Sequence, residues 1–202
     1  MFQLLSALIA GPLEKKIDLR WMLCLGFSLF ALGSWMNGSL TSEAGYWDFF
    51  WPQAIRGTAL MLCFLPINTL ALGRLPVEEI KNASGLYNLM RNLGGAIGLA
   101  VANTQMIYLT KANYARLRES VTATHYQAQE MLEGLTASME QINLPDPDLA
   151  ALRQITGLVL REAEVMTFNH LFQVIAVIFM ASLAVAPFLK KVDKEKAAVI
   201  HE

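Results

Sequence analysis

FFWPQAIRGTALMLCFLPINTLALG, residues 49–73, is twenty-five residues long and carries a single charge, Arg56. A helix on the surface of a water-soluble protein needs one apolar stripe, not apolar residues all round. At about 1.5 Å rise per residue, the stretch can cross a hydrocarbon layer of about 30 Å with some tilt. An arginine inside such a span is costly, so it should face a protein interior or an aqueous cavity. Pro52 precedes it, Pro66 follows it, and Asn68 adds a second polar group. A plain lipid anchor has no use for these. The stretch marks a membrane protein, and Arg56 is its most informative residue.

Composition agrees with that reading. Of the 202 residues, 54% are hydrophobic and 16% charged, well below the roughly 25% charge of soluble domains. A net charge of −1 gives no basis for nucleic-acid binding. Cys24 and Cys63 both fall in apolar runs and read as buried packing thiols, not a disulfide framework. Residues 1–13 are uncharged, lack a basic leader and run into Glu14-Lys15-Lys16. They are expected to be the end of a transmembrane helix or an interfacial segment, not a signal peptide.

Working outward from residues 49–73, three more spans emerge. Residues 21–40 contain no charge and carry Gly26, Gly33 and Gly38, with Trp21 and Trp35 placed to anchor at the interfaces. Residues 84–110 hold Arg91 near their start, then an uncharged run in which Gly94, Gly95 and Gly98 sit among alanines. Small residues at three- and four-residue spacing let helix backbones approach closely in lipid, although glycine is also simply tolerated there. Residues 165–189 are uncharged, with His170 near their start.

Between the last two spans, residues 111–164 are polar with a helical pattern. Tyr114, Leu117, Val121, Thr124, Ala128, Met131, Leu135, Met139 and Ile142 recur three and four apart, a narrow seam of the kind found in helix pairs. Asn143 to Pro147 breaks it, with Asp146 placed to cap a second helix that Pro147 opens. Leu149, Leu152, Ile155, Val159, Ala163 and Met166 give that helix its pattern. The expected fold is an all-α membrane protein of about four full transmembrane helices and a partial N-terminal one, with an extracytoplasmic helical hairpin over 111–164.

Basic residues set the orientation. Lys15, Lys16 and Arg20 lie in one loop, Arg74 and Lys81 in another, and Lys190, Lys191, Lys194 and Lys196 in the tail, residues 190–202. Four spans put these three regions on one side, the cytoplasmic one. Residues 41–47, which hold no lysine or arginine, fall opposite with the hairpin, whose five basic residues face eight acidic ones.

Candidate site residues follow from depth. Arg56, with Gln53 one turn earlier and Gly57 beside it, reads as inward-facing, the alternative being a side chain that snorkels to the interface. Asn68 is a polar group on the same helix. Arg91 either anchors its helix at the inner interface or serves the conformational change. His170, at the mouth of its helix, reads as an interfacial residue, and His125 reads as solvated. No carboxylate lies deep in any full span, so a self-contained proton relay is not expected. Nor is there a Walker loop, a zinc spacing or a clustered His, Asp or Ser constellation, which argues against an enzyme.

These patterns resemble one family. Gly11-Pro12-Leu13-Glu14-Lys15-Lys16-Ile17-Asp18-Leu19-Arg20 is similar to the major-facilitator loop signature, with Glu14 and Lys15 where small and aliphatic residues are usual. Pro52-Gln53-Ala54-Ile55-Arg56-Gly57, ending in Pro66, resembles that superfamily's arginine-bearing helix, though Thr58-Ala59 replaces an expected glycine. The segment NASGLYNLMRNLGGAIGLA, residues 82–100, is the most specific match and resembles the fourteen-helix drug:proton antiporters. The resemblance implies the C-terminal part of an inner-membrane multidrug exporter that trades protons for amphipathic small molecules. It needs no cofactor, since the proton gradient supplies the energy. Arg56, Gln53 and Asn68 would serve the transport cavity. Arg91, Gly94, Gly95 and Gly98 would serve packing and the conformational change. Implied partners are the bilayer, the remaining N-terminal helices, drug-like substrates and a periplasmic adaptor. The competing expectation is a non-transporting four-span membrane scaffold whose hairpin binds a partner.

Overall fold

A computed structural model describes residues 6, 11, 17–73, 75–121, 126–142 and 145–186. The candidate loop signature around residues 12–16, His125 and the basic tail lie outside them. The described residues form five principal helices: α1 (Leu19–Asn37), α2 (Tyr46–Leu72), α3 (Val77–Ser120), α4 (Tyr126–Gln141) and α5 (Pro147–Val185). The all-α expectation stands. Three helices, α1, α2 and α5, are long and apolar enough to cross a membrane. The segment 84–110, expected as a span, lies inside α3, which is not among the three. Asn92, Asn103, Thr104 and Gln105, together with its glycines, dilute its apolar character.

The chain divides into two units. In the first, α1 packs antiparallel to α2, because Gly33 lies against Pro52 and Arg56 while Gly26 lies against Leu62 and Cys63. The two glycines are seven residues apart, two helical turns, so both sit on one stripe of α1. A β-carbon added at Gly26 would come 2.6 Å from Cys63 Sγ and 3.1 Å from its backbone nitrogen. One added at Gly33 would lie 2.6 Å from Arg56 Cγ and 3.0 Å from the Pro52 carbonyl oxygen. Only glycine allows that approach.

The core around this seam is small: Met22 with Leu62, and Leu23 with Cys63 and Ala186. On α5, Phe179 stacks on Phe30 at 4.2 Å and meets Phe27 edge-on at 5.7 Å. The Gln173 side-chain amide donates to the Gly38 carbonyl at 2.9 Å, tying α5 to the end of α1. Around this core most large apolar side chains point outward, among them Leu25, Leu32, Phe64, Ile67, Val177, Ile178 and Met180. In water that would be a liability, and in hydrocarbon it is the expected surface.

The start of α2 is aromatic. Tyr46, Trp47, Phe50 and Trp51 touch ring to ring at 5.3–5.8 Å, and Asp48 accepts the Gly45 amide at 2.8 Å to close the helix end. Amphipathic rings gathered at one helix end are the pattern of a membrane–water boundary.

In the second unit the expected hairpin takes a different form. Its arms are not separate helices: α3 runs unbroken through Ser120, and α5 begins at Pro147 and runs through the span. The first seam is carried by α3 as far as Ser120 and by α4 from Tyr126, with its Thr124 outside the described residues. Pro147 does open α5, and the preceding Asp146 has a left-handed φ of 58° while its carbonyl accepts the Ala150 amide. The inward stripe of α5 is Ala151, Ala163 and Thr167, buried, with Ile155 and Val159 half-buried between them, whereas Leu149, Leu152 and Met166 are exposed. Small side chains mark where the neighbouring helix comes close. At Thr167, fully buried, the hydroxyl donates to Ala163 carbonyl and accepts from Thr110 Oγ1 at 3.2 Å and Asn113 Nδ2 at 3.1 Å.

Candidate functional site

Arg56 is the eleventh residue of α2, about 15 Å along the axis from Tyr46. That is deeper than a span starting at Phe49 implies. It shares the stripe Pro52, Arg56, Ala59, Cys63, Pro66, the face of α2 that meets α1, so its stem is part of the helix contact. The notch at Gly33 receives that stem.

The guanidinium carbon then lies over two aromatic rings, 5.4 Å from the centre of Phe30 and 4.9 Å from that of Phe172. Desolvated cation–π contacts of this kind are worth about 2 kcal/mol, which offsets part of an insertion cost of roughly 2.5–3.5 kcal/mol. The Nε atom is buried and has no hydrogen-bond partner among the described residues. Ser34 Oγ and Asn37 Oδ1, one turn apart on the same face of α1, are likewise buried without a partner among the described residues. The α1–α2 contact near the C-terminal end of α1 is thus a polar patch in an apolar setting.

The other sequence candidates are not gathered there. Gln53 is exposed beside the stripe that meets α1, and Asn68, half-buried, is twelve residues or about 18 Å further along. Arg91 of α3 is exposed and lies over the Phe64 ring at 5.3 Å. Gly94, Gly95 and Gly98 face open space, and a β-carbon at any of them would meet nothing within 4 Å. His170 is exposed on α5. Among the described residues no group of three His, Cys, Asp or Glu could hold a metal ion.

Sequence reading missed the two aromatic partners and the glycine notch. Phe30 and Phe172 are 142 positions apart, and no local pattern pairs them. Gly33 was legible as one glycine of three in its span, but its spacing of seven from Gly26 was the signal that counted.

Comparison with known proteins fixes the kinship. The chain is 33% identical over 182 residues to a colistin resistance protein, EmrB, of Acinetobacter baumannii, covering 90% of this chain and 35% of that protein. It is 31% identical over 188 residues to the multidrug export protein EmrB of Escherichia coli, again 90% of this chain and 35% of the other. A fatty acid resistance protein, FarB, of Neisseria gonorrhoeae is 24% identical over 181 residues. No family model matches, and no solved structure matches. The chain is similar to the EmrB multidrug export proteins over nine tenths of its length, and it spans about a third of theirs.

Proposed function

We propose that this chain works as the C-terminal portion of a proton-driven multidrug efflux transporter that exports amphipathic small molecules across the inner membrane. The observation that carries the reading is identity of 31–33% to two EmrB proteins across 90% of the chain. Three helices fit to span a membrane and a half-buried arginine among them support it. In this reading Arg56 belongs to the transport machinery, with Gln53 and Asn68 as further polar positions on the same helix. Arg91 and the glycines 94, 95 and 98 serve the conformational change, their open face meeting helices that lie beyond this chain. The basic tail is cytoplasmic and the segment 111–164 is extracytoplasmic, where a periplasmic adaptor would dock. The energy source is the proton gradient, and the coupling carboxylates belong to the remainder of the transporter.

The test is export by the intact transporter in an efflux-deficient bacterium. Tolerance to several unrelated amphipathic drugs should rise, and an ionophore that collapses the proton gradient should remove the gain. Unchanged susceptibility at confirmed membrane abundance would favour the non-transporting scaffold instead.

A further inference from the structure

The surroundings of Arg56 are unusual in what they contain and in what they lack. Ring faces of Phe30 and Phe172 lie within 5.4 Å of its guanidinium carbon. The Gly33 notch fixes its stem. The guanidinium carries five N–H donors in one plane, and these are the groups through which it can bond. Its Nε has no partner among the described residues, and no acidic side chain lies deep in α1, α2 or the apolar part of α5. A planar cation near two aromatic rings, with its Nε unpartnered among the described residues, matches a carboxylate, which accepts two parallel N–H bonds from arginine.

We propose that Arg56, walled by Phe30 and Phe172, is a binding site for a carboxylate group. This rests on the transport reading for its setting and deepens it. Two sources share that chemistry: the acid head of an amphipathic substrate, whose apolar part would lie along the phenyl rings, and a carboxylate side chain from the rest of the transporter. A lysine cannot replace the arginine, because a point charge lacks the two-pronged edge.

The experiment measures binding to the purified intact transporter, with no gradient imposed. The probes are 11-(dansylamino)undecanoic acid and its methyl ester, at about pH 8 so that the acid is ionised. If the substrate supplies the carboxylate, the wild type should bind the acid about tenfold more tightly than the ester, the scale of a charge-assisted hydrogen bond. Arg56→Gln and Arg56→Lys should both lose that preference while still binding the ester. Retained ester binding shows that the variants fold.

If the protein supplies it, acid and ester should bind alike, and Arg56→Leu should lower the midpoint of thermal unfolding. Neutralising one Asp or Glu elsewhere in the transporter should then restore that midpoint in the Arg56→Leu background and not in the wild type. The proposal is overturned if the acid preference is absent from the wild type or survives in Arg56→Gln, and no neutralisation restores stability. Because binding is read without transport, failure of the drug-tolerance test would remove the transport reading and leave this result to stand or fall alone.

Discussion

At the scale of single residues, the decisive positions are glycines, and which glycines matter depends on what faces them. A β-carbon at Gly26 or Gly33 would meet α2 side-chain atoms at 2.6 Å and backbone atoms at 3.0–3.3 Å, whereas Gly94, Gly95 and Gly98 face nothing within 4 Å. Gly33→Ala must push on the Pro52 carbonyl as well as on the Arg56 stem, so α1 and α2 have to separate. A loss of about 1–3 kcal/mol is expected, the usual cost of overpacking, read as a lower thermal-unfolding midpoint in detergent. Gly26→Ala meets Cys63 Sγ first. Adding Cys63→Ala should therefore recover part of the loss, and a double variant no better than the single would show that backbone contact dominates. Gly95→Leu is a different kind of test. Within this chain the new side chain has room, so a fall in yield or in drug tolerance would report a helix from elsewhere in the transporter. Full yield with normal tolerance would mean that these glycines are merely tolerated.

At the scale of elements, what sequence periodicity revealed and what it hid have a physical explanation. Long uncharged runs announced α1, α2 and the apolar part of α5, because burial in lipid demands apolarity on every side and leaves no ambiguity of face. Helix ends were harder. The α2 helix begins at Tyr46 and not Phe49, since Asp48 is turned back to cap the Gly45 amide and does not mark a loop. The polar segment 111–164 kept its helical character but not its division, because α3 and α5 each carry a less charged stretch and a polar stretch in one unbroken helix. The buried face of α5 was misplaced because large apolar residues drew the pattern, whereas close contact selects Ala151, Ala163 and Thr167. The Thr167 hydroxyl is saturated by one bond donated and two accepted. Thr167→Val keeps the shape and strands the donors of Thr110 and Asn113, which should cost about 1–3 kcal/mol. Thr110→Val combined with Asn113→Leu should make the Thr167 substitution nearly silent, and additivity would show that the bonds do not couple.

At the scale of the whole molecule, we propose on the placement of charge that α3 is a fourth crossing, where hydropathy alone gives three. Suppose that only α1, α2 and α5 cross. The tail with Lys190, Lys191, Lys194 and Lys196 would then lie opposite the loop with Arg74 and Lys81. Residues 41–47, which hold no lysine or arginine, would share the side of the tail, and one basic cluster would have to sit outside. Adding α3 as a fourth crossing removes the conflict, because all three basic regions then share the cytoplasmic side. Its Asn103, Thr104 and Gln105 and its open glycine face are what a span lined by other helices carries, since polar groups in lipid persist only against protein. Reporter fusions after Lys16, Tyr46, Lys81, Gln129 and Lys194 should therefore read inside, outside, inside, outside, inside. The pair at Lys81 and Gln129 is decisive. Opposite readings put α3 across the bilayer, while identical readings would leave three crossings and place either the Lys81 loop or the tail on the outer side.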